Sequence, residues 1–257
     1  MVTGVSWKDL EKVGCNSATE AAISSLANTL RLYAEANLRF GELIWIDHEE
    51  AINNLDRAFE AKLEAFHTLY DVSKSIFPYF DHGDTSLLIA VRNAIHHRNH
   101  PLFRSLYSRI FLDGPSRWLG ASFLLAAHPT LHGASIRMNH FIKLDDLDMR
   151  LDPKLASPYL DNFLSADRAE QRFTLIERQL GLTAIRRMGA IERYPKDQIY
   201  LDMVPIFTSA ICRVFKAMKA ADVAFKGYDA RTYEKLFTSE IVVDLSSPTF
   251  TSSRIGG

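Results

Sequence analysis

The sequence predicts an all-α chain, a helical bundle with additional helices toward the C-terminus. Three observations carry that expectation. Glycine and proline are sparse, 12 and 9 among 257 residues, so few positions interrupt regular structure. Long stretches repeat apolar residues every three or four positions, the helical rather than the strand period. A capping box, Ser17-Ala18-Thr19-Glu20, opens the first of these stretches and can satisfy free backbone N–H groups reciprocally.

From Ser17 the first helix is expected to run toward Trp45, with Ala27, Leu30, Ala34, Leu38 and Phe40 facing inward. Asp47 caps a second helix, whose inward face is Ile52, Leu55, Phe59, Leu63, Phe66 and Tyr70 and which Phe77-Pro78 stops. The two form an antiparallel hairpin. After the turn Asp81-His82-Gly83-Asp84, a third helix carries Leu87, Leu88, Val91 and Ile95 and ends at Pro101. Helices are expected near 102–111 and 115–127. From His128 to Pro153 the pattern loosens, and Ala134–Leu144 reads equally as strand or short helix. Helices resume at 153–164, 166–180 and 182–192, and a long one from Gln198 to Phe225 ends at Gly227. Residues 1–245 read as a single helical domain, and 246–257, ending Ser-Ser-Pro-Thr-Phe-Thr-Ser-Ser-Arg-Ile-Gly-Gly, as a flexible tail.

With 47% hydrophobic residues the chain can bury a substantial core. Cys15 and Cys212 belong to no CxxC pair, which argues against a disulfide framework or a cysteine zinc site. The N-terminus lacks a signal-peptide pattern and no apolar run is long enough for a membrane helix, so a cytoplasmic protein is expected. A net charge of −1 excludes the overall cationic character of a general DNA coat. No GxSxG elbow, Walker phosphate loop or dinucleotide glycine fingerprint occurs, which leaves serine hydrolases, P-loop NTPases and Rossmann oxidoreductases without support.

Charge distribution is more informative than its total. Between Thr85 and Leu112 there is no Asp or Glu, while Arg92, His96, His97, Arg98, His100, Arg104 and Arg109 all fall inside. Such a gap creates a local positive field suited to phosphate, although a solvated basic face or cations favoured at a helix C-terminus would also account for it. Asn93 and His97 are four apart and share a helix face, as do Arg92 and His96. Arg92 and His97 stand about 140° apart on the helix, so the arginine must reach round for both to meet one substrate. Whether His96 or His97 is the working imidazole stays open.

Arg92-Asn93-x-x-x-His97 resembles the arginine, polar residue, histidine motif of the HEPN superfamily (higher eukaryotes and prokaryotes nucleotide-binding domain). In architecture the resemblance covers about residues 17–127, with 128–245 as a helical extension. It implies a helical bundle that dimerises, with two motifs facing a cleft where single-stranded RNA is cut without metal or cofactor. His97 would then exchange the proton of the ribose 2′-OH or the leaving oxygen, giving a 2′,3′-cyclic phosphate end. Arg92 would hold the phosphate with its planar fork, and Asn93 would orient the histidine or contact phosphate. His96, Arg98 and His100 are auxiliary candidates, and Arg104 and Arg109 candidates for binding RNA. The implied role is that of a toxin or antiviral effector restrained by an antitoxin or regulatory protein. Some members carry a tyrosine two residues beyond the motif histidine that a nucleotidyltransferase partner modifies. Asn99 stands there in this chain, which argues against a partner of that type.

Several other readings compete. His96 and His100 share a face on which a metal could sit, with Asp81, His82 or Asp84 completing the shell, but HExxH is absent and no metal is expected. The carboxylates of Lys143-Leu144-Asp145-Asp146-Leu147-Asp148 read as a solvated acidic loop or an electrostatic partner of the basic segment. His128, His132 and His140 read as loop or core histidines. A second basic series, Arg168, Arg172, Arg178, Arg186, Arg187 and Arg193, is interleaved with acids and reads as an ion-paired surface or a supplementary RNA track. The alternative from another class is a non-catalytic HEPN-type module that binds nucleotide, RNA or protein.

Overall fold

A computed structural model describes residues 7–96, 102–133, 137–161 and 164–255. Helices dominate, but a four-stranded mixed sheet and a two-stranded sheet are built among them, so the chain is not all-α.

The first helices follow the periodicity. α1 (Trp7–Leu43) and α2 (His48–Ser73) fold back on one another, and Asp47 caps α2 by accepting from the Glu50 N–H at 2.9 Å. Ile52, Leu55, Phe59, Leu63 and Phe66 are buried as expected. α1 is already helical at Trp7, so the Ser17 capping box lies inside the helix rather than at its start. The buried stripe of α1 is Ala22, Ile23, Leu26, Ala27 and Tyr33. Leu38, about 140° from Tyr33 around the helix, is off that stripe and 81% exposed.

α3 (Gly83–His96) is buried on every side from Gly83 to Val91, the pattern of a helix enclosed by neighbours. It packs on α2, on α5 (Ala166–Gln179) and on α7 (Met203–Ala220). In its first turn the buried Asp84 accepts from Ser209 Oγ at 2.8 Å and Arg213 Nε at 2.9 Å, tying α3 to α7.

The strands correct the reading of 115–127 and 198–225. Residues Pro115–Trp118 form one 3₁₀ turn, and β1 (Ser122–Ala127) follows where a helix was expected. β3 (Phe141–Lys143) precedes α4 (Leu144–Leu151), and β4 (Ile199–Asp202) runs directly into α7, which Asp202 caps through the Val204 N–H. The expected tail contains β6 (Thr249–Arg254). The sheet order is β3-β4-β1-β6; β1 pairs with β4 in parallel, Leu124 opposite Ile199, and with β6 antiparallel, Ser122 opposite Arg254. β2 (Thr130–His132) and β5 (Val242–Val243) pair separately. The reason is burial. Ser122-Phe-Leu-Leu-Ala-Ala lies between two strands with both faces covered, so it shows no apolar/polar alternation and its Leu and Ala read as helix formers.

Expected helices at 102–111 and 153–164 shrink to a π-helical turn at Ser108–Leu112 and a 3₁₀ turn at Pro153–Leu155, while α5 and α6 (Leu182–Ile191) stand close to the expected bounds. α7 stops at Ala220, and Gly227 precedes a further helix, α8 (Tyr228–Lys235). One apolar core draws on α1, α2, α3, the sheet and α7, with a smaller cluster of Trp118, Phe123 and Tyr200 on the other sheet face. No described helix is long and apolar enough to cross a membrane.

Candidate active site

Where α3 emerges from the core, Arg92 and Asn93 follow the buried Val91 and border a cleft of about 1220 Å³ between α2, α3 and α5. Arg92 donates from Nε and Nη2 to one oxygen of Glu64 on α2, at 2.9 and 2.7 Å. Its Nη1 donates to Asn93 Oδ1 at 3.3 Å, so the Asn93 NH₂ is the end of that amide not used in this contact. The other Glu64 oxygen lies 3.4 Å from His96 Nδ1. The four-residue spacing thus brings Arg92 and His96 onto one face, and a single carboxylate from α2 bridges them.

One turn beyond Glu64, His67 also borders the cleft. Its Nδ1 lies 3.2 Å from Asp71 Oδ2, and burial together with nearby Arg92 lowers its pKa below the usual histidine value. The ring is therefore neutral near pH 7. Asp71 favours the tautomer with the proton on Nδ1, leaving Nε2 as a base.

The α5 wall contributes Arg168 and Arg178, both exposed and without an ion pair among the described residues. Arg172 has a structural task instead. It donates to the Ser86 carbonyl at 2.8 Å, lies 3.7 Å from Asp161 and stacks over Phe80, and burial lowers its pKa to about 10. Arg186 is ion-paired with Asp148 and Glu177, as interleaved acids suggested.

His97, Arg98 and His100 lie outside the described residues. Arg104 pairs with Asp113 and donates to Ser108; Arg109 binds the buried Asp146 at 2.7 Å. Neither borders the cleft, and Asp146 is the acidic partner of the basic segment rather than part of a solvated loop. His128 and His140 are core residues, one bonded to the Leu180 carbonyl and the other stacked on Phe59. Among the described residues, no three His, Cys, Asp or Glu side chains converge as metal ligands.

Glu64, His67 and Asp71 were not singled out by sequence. Glu64 is far from Arg92 in sequence, and only the α2–α3 packing joins them. Comparison with known proteins finds no matching family model, no similar curated protein and no similar solved structure.

Proposed function

We propose that the chain is a metal-independent endoribonuclease of the HEPN type that cuts single-stranded RNA in the α2–α3–α5 cleft. The observation that carries this reading is that Arg92 and Asn93 border the same cleft as a carboxylate-paired imidazole, His67, and two exposed arginines. At about 1220 Å³ the cleft exceeds the usual range of small-molecule pockets and suits a segment of a polymer.

In the proposed reaction His67 Nε2 takes the proton of a ribose 2′-OH. The 2′-oxygen attacks phosphorus while the bond to the 5′-oxygen breaks, giving a 2′,3′-cyclic phosphate. A second imidazole, His96 or His97, protonates the leaving 5′-oxygen. Arg92 stabilises charge on the non-bridging oxygens, and Arg168 and Arg178 track the neighbouring phosphates. The resemblance of the motif adds a homodimer, and a toxin or antiviral role under an antitoxin or regulatory protein.

One observation favours the alternative, a module that binds without cutting: Arg92 already directs two donors onto Glu64. Incubation with labelled single-stranded RNA and DNA in EDTA separates the two. RNA cut to cyclic phosphate ends with DNA intact supports the nuclease; RNA bound but uncut supports the module.

A further inference from the structure

Away from the cleft, a cavity of about 330 Å³ opens between α1, α7 and the residues that follow α8. Its lining is mostly apolar, including Leu30, Val204, Phe207, Ile211 and Phe237, and among the described residues it contains no Asp or Glu. The charged residues that line it are Lys62 and Arg137, both cationic types. Arg137 is exposed, whereas Lys62 on α2 is 2% exposed.

The surroundings of Lys62 are unusual for an ammonium. Nζ lies 3.5 Å from the Tyr33 ring centroid, 4.6 Å from Phe59 and 4.7 Å from Phe207, and it makes no hydrogen bond or ion pair among the described residues. A buried charge with no carboxylate within ion-pair distance is costly, and three ring faces and the more distant Asp202 offset only part of that cost. The ionisable groups facing it are Tyr33 from α1, His140 before β3, Asp202 at the cap of α7, and Arg137 and Tyr233 on the cavity wall. Asp202 directs one oxygen to the backbone N–H groups of His140 and Val204. An ammonium donor ringed by aromatic faces thus lines an apolar cavity.

We propose that this cavity binds an apolar monocarboxylic acid, with the carboxylate on Lys62 Nζ and the hydrocarbon body among the apolar side chains. The volume lies at the low end of small-molecule pockets and suits a compact acid. This site is independent of the nuclease reading.

Burial lowers Lys62 to about 7, with Asp202 opposing the shift. The empty site is therefore part-neutral at pH 7, and a bound carboxylate restores the charge, so binding takes up a proton. His140 is held neutral throughout by burial and by Lys62, and Asp202, raised to about 6 by its own burial, is ionised above that pH.

The test is titration calorimetry of the full chain with octanoate, octan-1-ol and octylammonium at pH 6.5 and 8.5. Octanoate is expected to bind more tightly at pH 6.5 than at pH 8.5, losing roughly tenfold in affinity per pH unit above 7, with proton uptake small at pH 6.5 and approaching one proton at pH 8.5. Octan-1-ol is expected to bind more weakly and without pH dependence, and octylammonium not at all. Lys62→Met, which conserves volume, abolishes the preference for octanoate over the alcohol. No octanoate binding, pH-independent octanoate affinity in the wild type, or octylammonium binding as well as octanoate overturns the proposal. Because the pH series uses the wild type, the result stands even if the variant folds poorly.

Discussion

Arg92 and Glu64 meet across the α2–α3 packing through two donors on one carboxylate oxygen, 2.9 and 2.7 Å long. The contact fixes the guanidinium where α3 borders the cleft, and the same carboxylate also faces His96. It is partly open to solvent, Arg92 being 18% and Glu64 43% exposed, so its value lies in direction more than in stability.

Glu64→Gln therefore leaves stability within about 1 kcal/mol of wild type in urea unfolding. If the proposed cleft binds RNA, the variant is expected to bind it severalfold more tightly, because a negative charge leaves the proposed phosphate site, and to cut it about tenfold more slowly, because Arg92 and His96 lose their common anchor. Equilibrium binding and single-turnover rates measure the two effects separately.

The pH profile reports on His67. Its pKa is lowered by burial and by Arg92, so the acid limb of kcat/KM for the proposed cleavage is expected below the usual histidine range near 6.5. Asp71 opposes the lowering, so Asp71→Asn moves that limb to still lower pH. The linkage has the matching sign: with the folded pKa depressed, the stability tied to neutral His67 is present above the ordinary histidine pKa and lost on acidification.

Lys62 gives the opposite end of the pH scale. Its pKa falls from 10.5 unfolded to about 7 folded, so the unfolded state binds more protons between these values and stability rises with pH across that window. Lys62→Met stabilises the protein at pH 7 by on the order of 4 kcal/mol, with the gain fading toward pH 10.5. Urea unfolding at pH 7 and pH 10 checks both the sign and the trend.

Removing residues 249–257 deletes β6 and exposes the outer edge of β1 from Ser122 to Ala127. A truncated chain is expected to unfold at lower urea and to aggregate, because β1 is apolar and its freed edge invites pairing. Unchanged unfolding would mark the segment as a dispensable tail.

The elements legible in sequence are those whose own residues decide them. Asp47 caps α2, and the α2 stripe from Ile52 to Phe66 is buried in order. β1 was illegible because its conformation depends on β4 and β6, which lie far along the chain, and β6 because Thr-Phe-Thr-Ser-Ser-Arg is linker-like until a partner orders it. Arg92 and Asn93 were legible from local spacing. His67 carried no signal of its own beside the aromatic stripe. Lys62 did carry one: it sits between Phe59 and Phe66 at helical spacing, a lysine on the apolar face.

Cleavage by the proposed Arg92–His67 site is decided by single-turnover reactions on single-stranded RNA in EDTA with wild type, Arg92→Ala and His67→Asn, each with its melting curve. Wild type is expected to cut, and each variant to lose about 100-fold or more with melting little changed. An uncut substrate with wild type, or undiminished cutting by both variants, would contradict it.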